Sequence, residues 1–231
     1  MKQIFLFLIT CSTFSFLQSQ EKNETIIVTG DFSIISVYAG IEVNLIRGKE
    51  NKIVLLNDKS DDASTFGYKI KNNTLKLRTE IDKKLSLGNI LVDLYYRNDI
   101  EELKLFQGSK AFLKDSIKQT NFIIKVKEAS SLQGLIVTEK TTIVVATGGK
   151  VNLEGYSSVV QIKATTGGIC SVEELSSKQT NINASIGSLV HATSTTLMEV
   201  EASTGAIVRV HGSPEKLITK TMLGGKIKQI N

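Results

Sequence analysis

His191 and His211 are the chain's two histidines, and a shared face would let them hold one metal ion or divide acid and base roles. The repeat set out below aligns His191 with Val210. His211 then falls one place off and is expected on the opposite face, which makes the two poor co-ligands. Cys170 could act as a nucleophile only with a base beside it and a depressed pKa. It falls in a column with Val151, Leu189, Val208 and Ile227, so a small buried hydrophobe is expected. Hydrolysis of a glycoside needs two carboxyl groups facing one groove. Glu173-Glu174 and Asp61-Asp62 are adjacent pairs, and adjacent residues on a strand point to opposite faces. Glu199 and Glu201 do share a face, yet nineteen residues earlier stand Thr180 and Ile182, so the preceding repeat carries no acids to match them. The sequence has no Gly-x-Ser-x-Gly elbow, phosphate-binding loop or Cys/His metal spacing. A chain with no catalytic residue, no cofactor-binding residue and no metal ligand is expected, hence a non-enzymatic protein without a cofactor.

The elements that carry these side chains are strands. The chain of 231 residues has one proline, no tryptophan and 41% hydrophobic residues, with many Val, Ile, Thr and Ser. Its first residues, Met1-Lys2-Gln3 followed by the uncharged run Ile4 to Leu17, read as a secretory signal, with cleavage expected after Ser19. The run is short for a membrane span, and polar sequence from Gln20 follows at once. The alternative is a lipobox, Leu8-Ile9-Thr10-Cys11, with Cys11 acylated; Thr10 is large for that position. If Cys11 leaves with the signal, Cys170 is the one cysteine left and no intrachain disulfide can form. Residues 20–231 are long enough for one sizeable core, and a single domain is expected.

From Thr25 to about Tyr96 the chain alternates apolar and polar residues in short runs, such as Ile41-Glu42-Val43-Asn44-Leu45 and Leu91-Val92-Asp93-Leu94. Turn formers separate them, among them Gly48-Lys49-Glu50-Asn51, Asn57-Asp58 and Asn72-Asn73. The second half is a repeat: Gly149, Gly168, Gly187, Ala206 and Gly225 stand nineteen residues apart. Two places after each comes Val151, Cys170, Leu189, Val208 or Ile227, and two further on Leu153, Val172, His191 or Val210. These are expected to be inward rows. A third row, Val160, Gln179, Met198 and Leu217, breaks in the Cys170 repeat, where the strand is expected to slip by one with Ile182 facing inward. Nineteen residues give a contour of about 63 Å, one coil of two or three short strands whose neighbours stack about 4.8 Å away. The expected fold is all-β, a parallel right-handed β-helix or β-solenoid, with regular repeats over 131–231.

Gly40-Ile41-Glu42-Val43-Asn44-Leu45 after Phe32-Ser33-Ile34-Ile35-Ser36-Val37, the repeated T-G-G and S-T-G corners, and His211-Gly212-Ser213-Pro214 before Leu223-Gly224-Gly225 resemble the auto-transporter adhesin "head GIN" family. The resemblance runs from about Thr25 to Ile230, and it implies an exported bacterial β-helical protein. The early corners, Gln107-Gly108-Ser109 and Ala129-Ser130-Ser131, depart from the regular pattern.

Net charge is +5, and the excess sits at the C-terminal end, where Arg209, Lys216, Lys220, Lys226 and Lys228 face only Glu215. Lysines along a solvated strand edge protect it from aggregation. Nucleic-acid binding would want aromatic residues among them, and that stretch has none. The functional expectation is an exported, adhesin-like module at the cell surface or in the periplasm, binding a glycan or protein. A polysaccharide-active enzyme with acids gathered from separate coils is the alternative, as is a purely structural envelope component. Open strand edges in the terminal coil admit a dimer as well as a monomer.

Overall fold

The structure, a computed structural model, describes residues 25–56, 66–79 and 90–230. The expected signal segment with Cys11, the turn pair Asn57-Asp58 and the pair Asp61-Asp62 lie outside these residues.

All the regular structure described is β. The first strands are β1 (Thr25–Val28), β2 (Ile34–Val37), β3 (Glu42–Arg47), β4 (Lys52–Leu55), β5 (Phe66–Lys71), β6 (Thr74–Thr79) and β7 (Leu91–Tyr96). Next come β8 (Glu102–Leu105), β9 (Lys110–Leu113), β10 (Ile117–Val126), β11 (Ser131–Val145), β12 (Lys150–Ala164), β13 (Ile169–Val172), β14 (Leu175–Ser176) and β15 (Gln179–Ala184). The last are β16 (Leu189–Thr193), β17 (Leu197–Ala202), β18 (Ile207–His211), β19 (Lys216–Thr221) and β20 (Lys226–Ile230). From β8 onward every pairing is parallel and joins one coil to the next, which is a β-solenoid.

The core is two facing ladders of inward side chains. One runs Ile35, Leu103, Ile124, Ile143, Ile162, Ile182 and Val200 in successive coils. The other runs Val43, Ala111, Leu132, Val151, Cys170, Val190 and Val208. None of these is more than 3% exposed, and a fully buried aliphatic side chain contributes about 1.5–3 kcal/mol.

A tight turn connects the two ladders in each coil. At Thr147-Gly148, Thr166-Gly167, Ile186-Gly187, Thr204-Gly205 and Leu223-Gly224 both central residues have positive φ, the requirement of a type I′ turn. Successive turns bond to one another, with Gly148 N donating to Thr166 O at 3.1 Å and Gly167 N to Ile186 O at 3.0 Å. Gln107-Gly108 and Glu128-Ala129 make the same turn, so the early corners are regular in backbone though not in sequence.

The repeat is nineteen residues on average but not in every coil. Asn152 pairs with Ser171, and pairing resumes at Gly155 with Leu175. One extra residue therefore bulges from the second strand at Glu173-Glu174. The next coil runs only five residues from Ala192 to Leu197, against seven from Val172 to Gln179, which restores the register. Ile182 takes the inward place, as expected. In the following coil the expected phase is wrong: Val190 and Ala192 face inward, and Leu189 and His191 do not. The insertion before Gly187 moves it to the turn place of Gly167, twenty residues on, and gives the place of Gly168 to Ser188, so the side chains that follow swap face; the later deletion returns Ala206 to the period.

The N-terminal part folds back on the stack. Strand β2 lies between β6 and β8, and β3 between β7 and β9, all parallel. Onto this first level β5 and β4 add antiparallel, with β1 antiparallel on β4. This hairpin layer covers one end of the parallel stack. At the other end β19 and β20 are largely exposed.

Candidate functional site

The first strand of each coil points one column of side chains outward. In register order it reads Asp93, Asn44, Phe112, Gln133, Asn152, Ser171, His191, Arg209 and Lys228. Each stands one strand spacing, about 4.8 Å, from the next. The column is self-satisfied near both ends. Asn44 Nδ2 donates to Asp93 Oδ1 at 2.7 Å, and His191 is tied to Arg209 and His211.

In the middle the column is open. Gln133, Asn152 and Ser171 make no side-chain hydrogen bond among the described residues. They line a groove of about 460 Å³ with Phe112, Lys150, Ile169 and Glu173. The bulge at Glu173-Glu174 brings the Glu173 side chain to the groove wall, and one of its oxygens, Oε2, is buried without a hydrogen-bond partner. Lys114 sits over the Phe112 ring at 5.5 Å.

The opposite strand face treats its polar residues differently. Asn181 Nδ2 donates to Glu199 Oε2 at 3.0 Å, and Lys220 Nζ donates to Glu201 Oε1 at 3.1 Å. Glu199 and Glu201 do share a face, Glu199 engaged by Asn181 of the preceding coil and Glu201 by Lys220 of the next.

The two histidines are together, contrary to expectation. His191 Nδ1 lies 3.1 Å from His211 Nε2, because the one-residue slip turns His191 outward and onto the face that carries His211. Arg209 Nη1 lies 3.2 Å from His191 Nε2. Arginine only donates, so Nε2 accepts and the His191 proton is on Nδ1, directed to His211. Burial, then the Arg209 and His211 charges, hold the His191 pKa below its ordinary value, against the opposing pull of Glu173 at 4.0 Å. Among the described residues no group of three or more His, Cys, Asp or Glu side chains suits a metal ion. Cys170 is fully buried, and burial, helped by the Glu173 charge, pushes its thiol pKa far up, so it is not a thiolate nucleophile.

Sequence reasoning did not single out Phe112, Gln133, Asn152 or Ser171, and weighed Glu173 only as half of an adjacent acid pair. The signal was available: Gln133, Asn152 and Ser171 recur at nineteen residues between the two inward rows.

A family profile described as "Putative auto-transporter adhesin, head GIN domain" matches residues 31–214. Among curated proteins none matches significantly. The fold is similar to a crystal structure of a "putative adhesin" from Bacteroides fragilis, with a TM-score of 0.80 and 14% identity over 90% of this chain and 96% of that one. It is also similar to a "putative lipid binding protein" from Parabacteroides distasonis, with a TM-score of 0.64 and 12% identity over 90% of this chain and 96% of that one. A "putative adhesin" from Parabacteroides merdae gives 0.64 and 13%, over 90% and 95%. At such identities these likenesses speak to the fold alone. With the profile spanning the capped first coils and nearly all of the stack, this chain belongs to the auto-transporter adhesin, head GIN domain, family.

Proposed function

We propose that the protein is an exported, non-enzymatic binding module, adhesin-like, that presents the outward face of its solenoid to a glycan or protein at the cell surface or in the periplasm. The observation that carries this reading is the open middle of the polar column, where two amides and a hydroxyl in three successive coils face a groove without internal partners. A folded chain that pairs Asn181 with Glu199 and Lys220 with Glu201 across coils on the opposite face, and leaves three successive polar side chains unpaired here, has a surface suited to a ligand. Among the described residues Glu173 is the single carboxylate in the groove lining, whereas glycoside hydrolysis by paired carboxylates needs two. That supports binding without turnover. The domain is taken as residues 20–231, after a signal ending at Ser19. Glycan arrays and pull-downs with residues 20–231 test the reading; a retained glycan or protein without turnover is expected. No ligand in either assay, together with turnover of a polysaccharide, would overturn it in favour of an enzyme.

A further inference from the structure

We infer that the groove binds a neutral, hydroxyl-rich saccharide chain lying along the solenoid axis; this rests on the binding-module reading above. The direction follows from the open stretch from Phe112 to Ser171, which spans three coil steps, about 14 Å. Its four side chains are a ring, two primary amides and a hydroxyl. Each amide both donates and accepts, which suits a ligand whose hydroxyls do the same. The Phe112 ring, the Lys150 stem and Ile169 offer apolar surface for the C–H faces of sugar rings.

Two observations argue against other occupants. A peptide adding as a strand needs a free backbone edge, and β9, β11, β12 and β13 are each hydrogen-bonded on both sides. A polyanion needs net positive charge, whereas the groove sets Lys150 against Glu173. The groove also ends where the His191–Arg209–His211 network begins, so the Arg209 cation is engaged there by His191.

The test is affinity electrophoresis of the chain from residue 20 in gels containing laminarin, xylan, dextran or hyaluronan, beside pull-downs on immobilised fibronectin and collagen. The double variant Gln133→Ala/Asn152→Ala and the single Phe112→Ala are compared with Gln161→Ala/Asn181→Ala on the opposite face, all four proteins being matched for circular dichroism and melting temperature. Retardation by at least one neutral polysaccharide is expected, weakened tenfold or more in both groove variants and unchanged in the control. Retardation that survives both groove variants would overturn the site. Retardation by hyaluronan alone, or retention on protein alone that the groove variants abolish, would overturn the saccharide class and leave the binding module standing. Retention on neither class would overturn both.

Discussion

A hydrogen bond between two imidazoles fixes a protonation state, and with it a pH dependence. His191 is neutral in the fold because Arg209 occupies Nε2 and Nδ1 donates to His211. Its folded pKa lies below the unfolded value of about 6.5, so on acidification the unfolded chain takes up the proton first. The stabilisation is therefore complete above that value and is lost as pH falls through it, levelling off below the folded pKa. Chemical denaturation at pH 7.5 and pH 5.5 should give a lower midpoint at the acid value, and His191→Asn should flatten the difference. Equal pH dependence in variant and wild type would remove His191 from the account. Glycine makes a second residue-scale case. Gly155 has φ +108° and a Cβ there would stand 2.3 Å from Ile136 O, whereas at Gly148, with φ +70°, a Cβ meets nothing within 4 Å. Gly155→Ala should cost more than about 2 kcal/mol, and Gly148→Ala about 1 kcal/mol, both read from denaturation midpoints. Ala129 already occupies the position equivalent to Gly148 with φ +58°, which is why the second cost is small.

Coils contact their neighbours, so stability is close to a sum over nearest pairs. Among the described residues, strands β19 and β20 pair on one side only, with β17 and β18, and their apolar residues Leu217 and Ile227 are half-buried. Ending the chain after Gly212 should leave a folded protein with a cooperative melt lowered by a few degrees. Loss of cooperative melting would show that the last coil is integral to the core. This additivity is also why so much of the fold was legible. Row spacing gave Val151, Cys170 and Val208 as inward residues, and the slip at Ile182, because each coil repeats the demands of the one beside it. The same logic failed one coil further on. The bulge at Glu173-Glu174 put Gly187 in the turn place of Gly167 and Ser188 in that of Gly168, so a glycine still stood nineteen residues after Gly168 while Leu189 and His191 changed face; the short Ala192–Leu197 connection then returned Ala206 to the period. The return of β6 and β7 beneath β2 and β3 left no periodic trace, since those strands pair across excursions of unequal length. The groove was hidden for another reason: Gln133, Asn152 and Ser171 have the composition of any solvated strand face, and only the pairing map shows which polar residues lack partners.

At the scale of the whole molecule the two ends differ. Antiparallel β1, β4 and β5 cover the stack at one end, and lysine-rich β19 and β20 close the other, which leaves the side faces for recognition. Placement at the cell surface or in the periplasm requires export. Mass spectrometry of protein recovered from the envelope fraction should find a mature N-terminus at Gln20, and an acylated Cys11 would instead make it a lipoprotein. The most direct test of the central claim, that the open polar column is the ligand face, is hydrogen–deuterium exchange with and without a retained ligand from the glycan array. Added protection over residues 110–113, 131–133, 150–152 and 169–173, with none over 159–163 and 179–183, is the predicted result; protection confined to the opposite face would contradict it.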